Sequence, residues 1–275
     1  TAEPSNSDYR FALARNERHR FLFSLLFNDE SAAAEHFAHA RSTLEQLVHD
    51  FPDDPDYAVE LADTLSFAST RLPTMTNKEA AELLQRAIQS CQQLREAFPH
   101  VPDYQALLAT ALRNMARIEE SQDHWDAAES WILQAKSTSE GLTARYPRQT
   151  LYPTILVLTL QELADLKTKR AEAENDASQL AAAVPLLEEA IARAGSIKPK
   201  SPAIDPAQLA MQGWLYERLA KIQHKLGNEQ QANDAQAAAE RVQQAVRALP
   251  PPRPPRDNED RPPAPPESPT PGRTE

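Results

Sequence analysis

The chain has 275 residues and a formal net charge of −11, with 29 Lys and Arg against 40 Asp and Glu. That balance excludes nucleic acid or an anionic membrane surface as the main partner, since both require clustered basic side chains. Only 5 glycines accompany 23 prolines, and Ala, Leu, Glu, Gln and Arg dominate, a composition of helices separated by proline-marked turns rather than of strands.

Residues 1–8 read as a disordered lead. A refrain starts at Tyr9 and returns at Tyr57, Tyr104 and Tyr152, with spacings of 48, 47 and 48 residues. About twenty-four residues after each tyrosine stand two alanines seven apart, and a proline follows twelve residues later: Ala33, Ala40 and Pro52; Ala80, Ala87 and Pro99; Ala128, Ala135 and Pro147. The pattern recurs as Ala183, Ala190 and Pro202, and as Ala232, Ala239 and Pro251. The chain therefore divides into five units, at about 9–52, 53–99, 100–147, 148–202 and 203–249.

Each unit reads as two helices. In the first, helix A, residues such as Tyr57, Leu61, Leu65 and Ala68, or Tyr104, Leu108, Leu112 and Met115, repeat at helical spacing along one face. A polar turn follows, such as the segment 121–126 or the Gly227 turn, and then helix B carries the alanine pair on one face. Small side chains seven apart let two helices approach closely. Proline closes the unit by steering the preceding residue out of helical angles. In unit 2, Pro73 should end helix A early. In unit 4, Tyr152 and Ala183 are 31 residues apart, an insertion of about seven residues within 169–184 that reads as a lengthened helix or loop. From residue 250 the composition is 11 prolines in 26 residues without a large apolar side chain, so a Pro-rich disordered tail over 250–275 is expected. Its Pro251, Pro254 and Arg256 fit a P-x-x-P-x-R spacing that chance supplies readily in such a tract.

Residues with catalytic chemistry do not assemble into a site. His36 and His39 share a face of helix B1 with Glu35 beside them, but nothing adjacent completes a closed zinc set. The pairs Glu119 with Glu120 and Glu188 with Glu189 point about 100° apart on a helix. Asp53 and Asp54 fit turn or helix-start roles. No phosphate-cradling glycine loop or nucleophile motif occurs. Cys91, the single cysteine, occupies an apolar-stripe position equivalent to Leu44, which favours a buried structural thiol. Trp125 and Trp131 read as core. No metal, no cofactor and no enzymatic activity are expected. The longest apolar stretch, around Ile155 to Leu160, is far short of the ~20 residues that cross a bilayer, so no membrane insertion is expected in this segment. The start at Thr1 without a signal-like segment fits a processed product or a piece of a longer protein. The compartment is open: a soluble segment, cytoplasmic or belonging to a membrane-anchored protein.

The alanine pair, a larger apolar residue four after the first alanine (Phe37, Leu84, Ile132, Leu187), Trp125 in a turn and the closing proline together resemble the tetratricopeptide repeat, most clearly at residues 226–240. The resemblance covers residues 9 to 251, with a longer period than the usual 34 because helix B runs on before its proline. The long-period refrain is similar to bacterial signalling arrays, some attached to serine/threonine kinases. What the resemblance implies is an all-α fold, a right-handed α-solenoid of five extended hairpins whose helix A side is a concave groove for a protein or peptide. The groove positions would be Arg15, Arg18, Arg113, Arg117, Gln161, Glu217 and Lys221. Leu22 stands where the family's chaperone-carboxylate clamp places its first asparagine, which sets that partner aside. The implied function is a noncatalytic protein-protein interaction scaffold. The alternative is a sensory or docking region of a larger signalling protein, such as a transmembrane kinase, whose catalytic part is absent from this chain.

Overall fold

Three of the proline joints adopt one backbone geometry. Phe51, Phe98 and Tyr146, each preceding a proline, leave the helix at φ/ψ of −133/66, −130/66 and −129/58°, outside the α region that the following proline disfavours. The aromatic ring at each joint then meets the tyrosine of the next helix: Phe51 with Tyr57 at 5.9 Å, Phe98 with Tyr104 at 6.0 Å and Tyr146 with Tyr152 at 5.7 Å between centroids. Inclined ring pairs at this distance are favourable beyond their buried area. They fix the angle at which one unit hands over to the next.

A computed structural model describes residues 6–197 and 206–249, and among them ten helices and no strand are present. They are α1 (Ser7–Leu26), α2 (Glu30–Asp50), α3 (Pro55–Arg71), α4 (Asn77–Ala97), α5 (Pro102–Glu120), α6 (Trp125–Arg145), α7 (Leu151–Glu174), α8 (Ala177–Ser196), α9 (Pro206–Lys225) and α10 (Glu229–Arg247). Consecutive helices pair as hairpins, each odd-numbered helix A packs on the preceding helix B, and α1, α3, α5 and α7 also touch in succession. The described residues form an all-α solenoid of five hairpins. The tail from residue 250 and the joint at Pro202 lie outside the described residues.

Helix ends follow local chemistry. α1 begins at Ser7, two residues inside the expected lead, because the Asn6 side chain accepts from the backbone N–H groups of Asp8 and Tyr9. Asp29, Asp54 and Asp176 cap α2, α3 and α8 in the same way, and Thr76 with Glu79 forms a reciprocal capping box at α4. Four of the five turns inside hairpins place one residue in the left-handed region: Asn28, Asp123, Asn175 and Gly227, at φ of 56, 60, 52 and 75°. Asn, Asp and Gly are the residues that tolerate it. The turn in unit 2 is the exception. There Pro73 stops α3 after 17 residues and a longer loop follows. The unit 4 insertion lengthens α7 to 24 residues and leaves a tight turn at Asn175. Pro185 lies inside α8 rather than ending it. The lost backbone hydrogen bond is tolerated where Ala183, Leu187 and Ala190 hold the helix against the core.

The alanine pairs lie in the interior. Ala33, Ala40, Ala80, Ala87, Ala128, Ala135, Ala183, Ala190, Ala232 and Ala239 are all buried. The surrounding core is nearly continuous, one cluster running from α1 to α7 and a second from α7 to α10. α7 joins them, giving Leu163 and Leu166 to the first and Leu156 and Leu160 to the second. Cys91 is fully buried, and burial, with the charge of Asp63, pushes its thiol up to about 12, an inert packing residue.

At Ala135, which has no exposed surface, Ala135→Leu adds three heavy atoms between close-packed helices. The expected cost is about 1 to 3 kcal/mol, read as a lower urea midpoint with unchanged helical circular dichroism.

Candidate helix A groove

Opposite charges one repeat apart line the helix A side. Arg18 of α1 donates to Glu60 at 3.0 Å and also pairs with Asp63, both on α3. Asn114 of α5 donates to the carbonyl and hydroxyl of Ser66 on α3 at 3.1 and 3.0 Å. Arg113 grips Glu162 of α7 through two bonds of 2.9 and 2.6 Å, the bidentate geometry in which Arg–carboxylate pairs are strongest. Lys169 of α7 pairs with Glu120 of α5. Arg218 of α9 reaches Asp165 of α7 at 3.1 Å, and Lys225 pairs with Glu172. At the N-terminal ends the Tyr152 hydroxyl donates to Asp103 at 2.9 Å, and burial with that bond pushes the phenol up to about 12. Each bond stitches a helix A to the next helix A, so the face is ordered before any ligand arrives.

Between these bonds lies a cleft of ≈810 Å³ that crosses α3, α5, α7 and α9. Leu72, Met75, Trp125 and Trp214 give it apolar and aromatic walls, and Arg117, Gln161, Asp165, Lys169 and Arg218 give it polar ones. The Arg218 guanidinium lies 4.5 Å from the centroid of Trp214, a cation–π contact that holds both in place. Asp165 sits half-buried between these cations. Burial raises its carboxyl to about 6, against the pull of Arg218 and Lys169 and with the push of Glu120 and Glu162.

The seven positions expected to face a groove separate into distinct roles. Arg117 and Gln161 line the cleft, and among the described residues neither makes an ion pair or a side-chain hydrogen bond. Arg18 and Arg113 are committed to the inter-unit pairs. Arg15 is exposed, 3.8 Å from Glu60 and over the Phe11 ring. Lys221 lies on the adjoining α7–α9 surface with Lys225 and Glu172. Glu217 turns away from the cleft and accepts from Gln243 of α10 at 2.5 Å. Asp165, Lys169, Trp214 and Arg218 escaped the sequence reading. The signal was present as opposite charges 49 residues apart (Glu120 and Lys169) and 53 apart (Asp165 and Arg218). Trp125 is only partly buried, packed on the core while forming one wall of the cleft, and Trp131 packs on the core as expected.

Catalytic constellations do not form among the described residues. Glu119 bonds His124 while Glu120 reaches Lys169, so the adjacent carboxylates diverge. His36 sits 2.7 Å from the buried Glu17, and His39 is exposed. No group of three or more metal-ligating side chains occurs among the described residues, and no described helix is long and apolar enough to cross a membrane.

A pH dependence follows from Asp165. Between its ordinary 3.8 and about 6 the folded chain holds a proton that the unfolded chain has released, so this group's contribution to stability falls as pH rises through that window. Relative to Asp165→Asn, the wild-type chain should lose about 1 to 3 kcal/mol on passing from below the window to above it. Urea midpoints of both proteins across the window measure the difference.

No protein-family model and no curated protein matches the chain. Solved structures do. BtubC (BKLC) from P. vanneervenii is similar over 90% of this chain and 94% of its own, at 17% identity and a TM-score of 0.58. A putative kinesin light chain from Podosopora anserina with nearly identical TPR-like repeats shares 17% identity over 90% of this chain and all of its own, with a TM-score of 0.49. TTC0263, a thermophilic TPR protein in Thermus thermophilus, shares 16% identity over 82% and 95%, with a TM-score of 0.40. With the buried alanine pairs and the repeated hairpins, the likeness is one of fold: the chain is a tetratricopeptide-like α-solenoid.

Proposed function

We propose that the chain is a noncatalytic interaction scaffold whose helix A cleft takes an extended peptide or a helix from a protein partner. The observation that carries this reading is the cleft's division of labour. Its frame of Arg113–Glu162, Lys169–Glu120 and Arg218–Asp165 is already paired, while Arg117 and Gln161 stand unpaired between two tryptophans. A preordered frame lowers the entropy cost of binding. The unpaired guanidinium suits a carboxylate, and the indole faces suit proline, aromatic or aliphatic side chains. A backbone segment laid across the cleft would find donors and acceptors at Gln161 and Asn77.

Two arginines one turn apart distinguish this reading from a generic basic face. Peptides selected on the wild-type chain from a random display library should lose capture on Arg117→Glu, whose stability should stay within about 0.5 kcal/mol of wild type as for an isolated surface side chain. Arg113→Ala, by contrast, should cost about 1.5 to 3 kcal/mol because it orphans Glu162. Full retention of every selected peptide by Arg117→Glu would reject the cleft as the binding site.

A further inference from the structure

The first hairpin leaves open on α1 a face whose equivalents in the later units are covered. In α3, α5 and α7 the positions equivalent to Leu13 are Leu61, Leu108 and Leu156, exposed by 8, 1 and 0%, because each of these helices packs on the preceding helix B. Leu13 itself is 43% exposed. Tyr9 is 46% exposed where Tyr57 and Tyr152 are 5 and 4%. Asn16 and Arg20 are exposed where Thr64, Ala111 and Thr159, and Ala68, Met115 and Leu163, are buried. Phe23 and Phe27 continue the exposed stripe, and Leu26 is exposed beside it. Five of the nine exposed large hydrophobic residues in the described chain thus lie between Tyr9 and Phe27. The last hairpin differs: α10 presents Asn233, Gln236, Glu240, Gln243 and Gln244, with no exposed large hydrophobic on α9 or α10.

The residue types along the open stripe fit a second copy of α1. Tyr9, Leu13, Asn16, Arg20, Phe23 and Phe27 are spaced by 4, 3, 4, 3 and 4 residues, the same read in either direction. An antiparallel second copy of α1 therefore sets Tyr9 against Phe27, Leu13 against Phe23, and Asn16 against Arg20. Apolar ends meet apolar ends, and the amide in the middle meets the guanidinium, whose link to Glu17 is a long 3.5 Å. Self-complementarity of this kind is what a twofold contact requires. The polar face of α10 fits the stripe poorly, which disfavours a head-to-tail polymer. The apolar side chains on offer amount to on the order of 500 Å² per copy, or about 1,000 Å² when two copies meet, the threshold for a specific interface. We infer that the chain forms an antiparallel α1-to-α1 homodimer, covering the first helix as helix B covers the later ones and leaving both helix A clefts open.

Light scattering coupled to size exclusion tests the inference on the full chain. The expected mass is twice 30.6 kDa at high micromolar concentration. Leu13→Glu combined with Phe23→Glu should return it to the single-chain mass with unchanged helical circular dichroism, since both side chains are exposed. The register has its own readout. On mixing Leu13→Cys chains with Phe23→Cys chains, disulfides should join unlike chains only, because like positions lie about 15 Å apart along an antiparallel pair, beyond disulfide reach. Cys91 is buried and does not compete. A single-chain mass at every concentration, a dimer indifferent to the double glutamate variant, or disulfides between like chains would each overturn the inference.

Discussion

Close approach of helices at the buried alanine pairs is the constraint on which the rest of the molecule depends. With ten alanines buried at equivalent places, each helix B presents small side chains where it meets its neighbours. Equivalent contacts then recur from unit to unit. The proline joint completes the rule: its aromatic residue leaves the helix at the same φ/ψ three times and meets the following tyrosine at nearly the same separation. Small side chains at the helix contacts and a repeated backbone geometry at the joints together build the solenoid from local features.

The regularity reaches the surface as well. Because equivalent positions on successive A helices are neighbours in space, a basic side chain on one and an acidic one on the next become partners at a separation of about one period, as Arg113 with Glu162 and Lys169 with Glu120 do. A surface pair of this sort contributes little alone, but a run of them along one face orders that face. The cleft occupies what the pairs leave over. Its chemistry at Arg117 and Gln161 is thereby defined by subtraction: these are the groove side chains that the solenoid does not use to hold itself together.

Departures from regularity are local and have local causes. Glu17 stands where Leu65, Leu112 and Leu160 fill the core, and its carboxylate accepts a hydrogen bond from His36. Arg20 and Asn16 likewise replace apolar or small residues. The first unit thus keeps an apolar stripe while placing larger polar groups at its middle, where the interior units bury threonines and small or apolar residues. Pro73 and the lengthened α7 change the hairpin turns without disturbing the stacking, since the alanine pairs on the following helices are undisplaced from the core.

The sequence by itself determined the helices, their pairing into hairpins and the period, because all three rest on local spacing: apolar residues every three or four, small residues seven apart, prolines after them. It also placed Arg117 and Gln161 on the first helices of units 3 and 4. Only the tertiary structure decided which groove residues are free. Arg18 and Arg113 look the same as Arg117 in one dimension, and they differ because a carboxylate of the next unit comes within reach of the first two. Glu217 turned toward α10, and Trp214 with Arg218 entered the cleft, for the same reason: the direction of a side chain on a helix is fixed by the periodicity, but what waits there is set by the rotation from one unit to the next.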